Sequence, residues 1–447
     1  MTVLALCILA CGLTYLAGRR SLGFGLVTLL LWGYLYGIFR ANFQTAFSHF
    51  LFDAAVIGLY LAQIPALTTA TSNNRVLRYW IFALVCWPFL LLLLPFQPLL
   101  ISLVGLRACV LFIPIALLGS RLKRDDLTWL CYGLVGLNLM SLGFAVAEYI
   151  LGVPRFYPFS GVTAIIYNSN DVSGGYLRIP GTFAHAHVYG STMAASIPYL
   201  MGGWTELTTR KSRLFMVAGL AAALLGILMS ATRLNFILAA ALVMVIFFGT
   251  KMKTSRRVLF LTVIAGLAVA AFTNERFQRF KSLSDTSFVG DRVSGSVNRA
   301  FFEILLQYPM GNGLGGGGTS MPYFLEGEVR NPIGLENEYA RILCEQGIIG
   351  LLLWIGFIAW YLSRASQVFG KSPWASARRL VWSFTVIYLA TGVIGIGMLL
   401  AIPGAAMLML GMGWTGVPMR AEALPARRVT RLHRLPQQAA GWPAHAG

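Results

Sequence analysis

Apolar stretches of about 20 residues, separated by short polar connections, recur along almost the whole chain. That is the length a helix needs to cross the hydrocarbon of a bilayer. Twelve stretches are predicted as spanning helices: residues 2–17, 21–38, 50–69, 79–95, 98–119, 127–150, 187–204, 213–230, 234–250, 257–272, 346–363 and 380–400. A thirteenth runs from about 403 to 417, after Pro403. The pattern predicts an all-α polytopic membrane protein of about 12 transmembrane helices, within a range of 11–13. Residues 1–417 are the transmembrane domain, and 418–447 form a basic tail rich in Ala, Pro and Arg that reads as disordered.

The connections alternate in charge. After the odd-numbered spans come Arg19/Arg20, Arg75/Arg78, Arg121/Lys123/Arg124, Arg210/Lys211/Arg213, Lys251/Lys253/Arg256/Arg257 and Arg364/Lys371/Arg378/Arg379. The other short connections hold only Arg40, Arg155, Arg178 and Arg233. Lys and Arg are retained on the cytoplasmic side, so the first set is expected there. Two long connections, about 151–186 and 273–339, then face outward, as does the amino terminus. The tail lies outside with twelve spans and inside with thirteen.

Composition narrows the class. The chain is 57% hydrophobic and 11% charged, with a mean hydropathy of +0.70. A water-facing globule carries about a quarter charged residues, so that class is excluded. Met1–Gly18 is apolar without a basic n-region and is followed at once by another apolar segment, so no cleavable signal is expected. The net charge of +19 comes from arginines spread between spans rather than from one basic face, and no nucleic-acid partner is expected. Cys7, Cys11, Cys86, Cys109 and Cys131 sit in apolar stretches as small hydrophobes, and Cys344 stands alone. No zinc spacing or disulfide framework is present. No internal repeat of fixed period is visible, which weighs against transporter folds built from duplicated halves.

Polar residues survive in four clusters, all in the outward connections or beside them. The first is Asn168 to His187, where Arg178, held by Pro180 and Gly181, offers a rigid donor fork that suits phosphate, unless the segment is simply a turn-rich loop. His185 and His187 are spaced too weakly for a metal site and lack a third ligand. The second is Ser230 to Asn235, where Arg233 either snorkels to the interface or lines a polar cavity. The third holds Gly290-Asp-Arg292, an apolar helical pattern over Asn298–Gln307 and the turn Tyr308 to Gly318. Its glycine run lacks the Lys-Ser/Thr of a phosphate loop and need only be a flexible hinge. The fourth is Glu336-Asn337-Glu338 with Arg341, Glu345 and Gly347. Burial would raise Glu336 or Glu338 toward a general base's range, although acids at a helix start are equally explained by the dipole. Phe156, Tyr157, Phe159 and Tyr323 read as interfacial anchors before they read as sugar-stacking rings.

At these clusters the chain resembles the O-antigen ligase and polysaccharide polymerase superfamily. Arg178-x-x-Gly181-Thr-Phe183-Ala-His185-Ala-His187 resembles the family's Arg-x-x-Gly-Thr-Phe-x-His-Pro-Asn segment, with Ala186 and His187 departing from Pro and Asn. Thr232-Arg233 is similar to its Ser-Arg pair, and Tyr308-Pro309-Met-Gly311-Asn-Gly313 to its His-Pro turn. Asn337, nine residues, then Gly347-x-x-Gly350 is similar to its His-Asn-x9-Gly-x-x-Gly motif, with Glu336 in the place of the histidine.

The resemblance implies a GT-C-like glycosyltransferase of the bacterial inner membrane, its active site facing the periplasm, working without metal or other cofactor. The donor would be a glycan on undecaprenyl diphosphate and the acceptor a lipid-linked or other carbohydrate hydroxyl, with a chain-length regulator or flippase as partner. Polymerisation of repeat units is the first expectation. A ligase moving finished glycan to lipid A core or protein is the alternative, and a lipid-glycan transporter the rival from outside enzymology. Arg178 and Arg233, then Arg292, are expected to hold the diphosphate. Glu336 is expected as base with Asn337 orienting it, His185 competes for that role, and His187, Gly181, Glu338 and Gly347 position the acceptor or the loops.

Overall fold

In this computed structural model the described residues are 2–69, 71–168, 176–249, 300–318, 321–335, 337–370, 374–395 and 397–418, and their regular structure is helical. The helices are α1 Thr2–Arg20, α2 Leu22–Asn42, α3 Leu51–Ala62, α4 Ile64–Thr68, α5 Arg75–Leu91 and α6 Leu99–Val110. There follow α7 Ile115–Gly119, α8 Arg124–Leu151, α9 Ala164–Tyr167, α10 Ala186–Glu206, α11 Arg210–Met229 and α12 Arg233–Gly249. The last are α13 Ala300–Gln307, α14 Glu338–Ser363, α15 Ala365–Val368, α16 Ala375–Thr391 and α17 Gly404–Thr415.

A helix occupies each predicted span that lies in the described residues; the span expected at 257–272 lies outside them. Among the described residues, six stretches are long and apolar enough to cross a membrane: Thr2–Arg20, Leu22–Asn42, Leu99–Gly119, Arg124–Leu151, Arg210–Met229 and Glu338–Ser363. The chain is thus a helical protein of the multi-pass membrane type. Two predicted spans are broken. Pro65 opens α4 after a turn at Gln63, and Pro114 precedes α7. A proline ring cannot continue the preceding hydrogen-bond ladder, so one apolar run becomes two helices.

Local signals set the ends. Ser21 caps α2 by accepting from Phe24 N at 3.1 Å, and Thr209 caps α11 from Ser212 N at 3.1 Å. Asp126 in the first turn of α8 accepts from Gly23 N at 2.8 Å, which ties the start of α2 to α8.

The centre of the bundle is α10, which packs on α8, α11, α12, α16 and α17. Its residues Val188–Gly203 are all buried. A helix covered on every side needs small residues where neighbours approach, and α10 supplies Gly190 against Thr232 and Asn235 and Gly202 against Ala377. The other flank is built differently: α1 turns Leu4, Ile8, Leu9, Leu13 and Leu16 outward, a wall suited to hydrocarbon.

The fourth polar cluster folds otherwise than the hydropathy pattern predicts. α14 begins at Glu338, not at residue 346, because Asn337 caps it and Arg341 neutralises the acids of its first turns. The helix then breaks at Gly347, which takes φ 68° and ψ −173°. Into that break the turn Pro309–Gly311 docks: Ile348 N donates to Pro309 O at 2.9 Å and Asn312 N to Cys344 O at 2.6 Å. The glycine run is therefore no hinge. Residues 311–317 are buried, and the Asn312 amide donates to the carbonyls of Gly316, Arg330 and Asn331 at 3.1–3.2 Å.

Candidate active site

A cavity of about 1070 Å³ collects residues far apart in the sequence. Arg40, Arg107, Arg178 and Arg233 line it, with His49, His185 and His187. Thr232, Asn235 and Tyr388 add hydroxyl and amide groups, and Tyr323 and Glu326 lie on the wall contributed by the second long connection. Leu234, Ile237 and Ile394 are apolar lining, and the last two are each 47% exposed.

The arginine loop is pinned from three sides. Glu148 Oε2 accepts from Gly181 N at 2.9 Å. The Tyr157 hydroxyl, 2.8 Å from the carbonyl oxygens of both Gly181 and Phe183, donates to them. Ile38 N donates to Thr182 O at 3.1 Å. Tyr157 is thus a buried loop pin and not the interfacial anchor expected of it. Gly181 itself takes φ 60°, the left-handed region in which a side chain is strained. These contacts bury Arg178, whose Nη1 donates to His187 Nε2 at 2.8 Å. An arginine cannot accept, so His187 Nε2 is the acceptor in this contact.

His185 is the N-cap residue of α10 but gives its helix no side-chain cap; its buried Nδ1 has no hydrogen-bond partner. Burial, and then the Arg40 charge, hold its pKa at about 4. His49 is held at about 3 by burial, Arg40 and Arg107. Both rings are therefore neutral at pH 7, available as acceptors.

The second motif is fixed to the first. Asn235 Nδ2 donates to His187 O at 3.0 Å and to Thr232 Oγ1 at 2.9 Å, and Thr232 Oγ1 bonds Ser230 Oγ at 2.9 Å. Ala231 takes φ 48° to make this turn, a strained setting of the kind found at functional sites. It delivers Arg233 to the mouth of α12 and into the cavity. Arg107 forms a bidentate pair with Asp53, at 2.5 and 2.6 Å.

Of the residues expected from sequence, Arg178, Arg233, His185 and His187 are brought together, with Gly181 supporting the loop. Glu336 and Arg292 lie outside the described residues. Asn337 does not line the cavity; its side-chain oxygen accepts from Tyr339 N at 2.8 Å and Ala340 N at 3.2 Å. Glu338 lies behind the wall, where it accepts from Gly397 N at 2.6 Å and from Arg341. Gly347 shapes the docking of the third motif on the fourth. Arg40, His49 and Arg107 are cavity residues that motif reading missed. Arg40 carried a signal, as one of the few basic residues in the weakly charged connections. Among the described residues no three His, Cys, Asp or Glu side chains gather as a metal site requires.

The helices α2, α10, α12 and α16 all reach the cavity from the end remote from their basic connection. Fold and cavity thus define a multi-pass helical protein with a cationic pocket, part of whose lining is apolar, at the ends of these helices. Residues 218–355 match the family model described as O-antigen ligase, which supports the resemblance to the O-antigen ligase and polymerase superfamily. No curated protein matches the chain.

Proposed function

We propose that the chain is a membrane glycosyltransferase that polymerises lipid-linked oligosaccharide repeats at the periplasmic face. The observation that carries this reading is the convergence of Arg178 and Arg233, from two separate motifs, on one cavity whose lining includes the exposed apolar side chains of Ile237 and Ile394. The donor is a glycan on undecaprenyl diphosphate. An acceptor hydroxyl attacks the anomeric carbon, the bond to the diphosphate oxygen breaks, and the charge leaves with the lipid diphosphate. Guanidinium groups aimed at that charge act where it develops, and each such donor is worth roughly 100-fold in rate.

Glu336 is the first candidate for the base that takes the hydroxyl proton, with Arg292 as a further diphosphate ligand. His185 is the competing base, supported by its cavity position, although burial and the Arg40 charge, which hold its pKa at about 4, weaken it as a base. Asn337, Glu338 and Gly347 act by setting the wall behind the site. No metal takes part in this scheme. Replacing Arg178 and Arg233 together by alanine is expected to abolish polymer while the protein still inserts and accumulates. Undiminished polymer in that double variant would end the proposal.

The family description favours a second reading, ligation of finished glycan to lipid A core or protein. A deletion strain separates the two. Loss of a polymerase leaves single repeats on the acceptor or no polymer, whereas loss of a ligase leaves full-length chains on the carrier.

A further inference from the structure

We propose that Arg40 is a third ligand of the diphosphate, closing with Arg178 and Arg233 a clamp that takes a diphosphate in preference to a monophosphate. The inference rests on the glycosyl-transfer reading above and adds a residue that lies in none of its motifs.

The placement of Arg40 is fixed by packing. It stands three residues beyond Gly37 in the last turn of α2. At Gly37 the helix touches the Phe183–Ala184 peptide so closely that a Cβ would fall on it. The contact that seats the loop of Arg178 and His185 thus also places Arg40, and all three line the same cavity.

Arg40 is half-buried, its Nε is shielded from solvent without a hydrogen-bond partner, and no acid pairs with it among the described residues. Removing a guanidinium from water without compensation is costly, so such a group is kept where an anion supplies the missing contacts. Arg107 is no substitute, because Asp53 already occupies its fork. The charge of Arg40 reaches the cavity, since it depresses both His49 and His185. A cation in the last turn of a helix is also favoured by the helix dipole, but that role requires no place in a cavity and no anion.

The test is calorimetric titration of the purified full chain in lipid nanodiscs with inorganic pyrophosphate and, separately, inorganic phosphate. Arg40→Gln is expected to weaken pyrophosphate binding roughly 10- to 100-fold, the value of a hydrogen bond to a charged partner. Phosphate, which spans fewer donors, is expected to lose less. Arg40→Lys keeps the charge and loses the fork, and should fall between Gln and wild type; if the Gln variant fails to fold, a several-fold loss in the Lys variant decides in favour. Wild-type affinity in the Arg40 variants, with binding lost in Arg178→Gln, overturns the role of Arg40 and leaves the transfer reading standing. Absence of saturable pyrophosphate binding to the wild-type protein overturns both.

Discussion

A methyl group at Gly37 has nowhere to go, because the Phe183–Ala184 peptide fills the space its Cβ would need. Gly37→Ala is expected to cost about 1–3 kcal/mol, as overpacking does, and to displace the arginine loop. Gly181→Ala acts through the backbone instead: a left-handed φ costs an L-residue about 1–2 kcal/mol. Chemical denaturation of the two variants measures both losses. The histidines give a pH dependence of definite sign. An unfolded imidazole protonates near pH 6.5, whereas folded His185 resists protonation until about pH 4. The unfolded chain therefore binds more protons in that window, so this contribution to stability is full above pH 6.5 and is lost as pH falls toward 4. Replacing His185 by Gln should flatten the melting temperature between those limits, and an unchanged slope would remove the residue from the account.

Within α14, Glu338 and Glu345 both reach Arg341, and all three side chains are buried. Truncating the arginine alone strands two carboxylates, and Arg341→Met is expected to cost about 3–5 kcal/mol. Replacing the trio together by Gln, Met and Gln should cost much less, and equal losses in the two variants would show that the charges are not coupled. This trio also shows where sequence reading failed. Glu338 read either as a base or as an acid at a helix start, while the apolar span was drawn only from residue 346; the pairing of Arg341 with Glu338 and Glu345 inside one helix was not read. Gly347 and Gly350 were legible as a motif, but their reasons were not: Gly347 makes room for the Pro309–Met310 backbone that docks at the break, and Gly350 for the side chains of Gln346 and Trp87.

Over the whole molecule the helices were legible because their signal is local: each needs only its own apolar run and caps. The cavity was not, because it depends on tertiary placement. Arg178 and Arg233 stood in recognisable motifs, while Arg40 is remote from both in sequence and is brought to them by glycine contacts. The alternating basic connections carry one further prediction about orientation. Phe159, 76% exposed, belongs to the connection expected outside, and Lys211 to one expected inside. Cysteine placed at Phe159 should react with an impermeant maleimide in cells whose inner membrane is intact, and cysteine at Lys211 only after lysis. The reverse pattern would turn the molecule over.

In the proposed reading, the exposed apolar side chains of Ile237 and Ile394 act as a greasy doorway to the cationic cavity. An amphiphile that brings an anionic head to the arginines by that route keeps its tail in oil throughout. It never exposes methylenes to water at about 0.8 kcal/mol each, so even a very long tail is no obstacle to arrival or departure. What the doorway selects is the head.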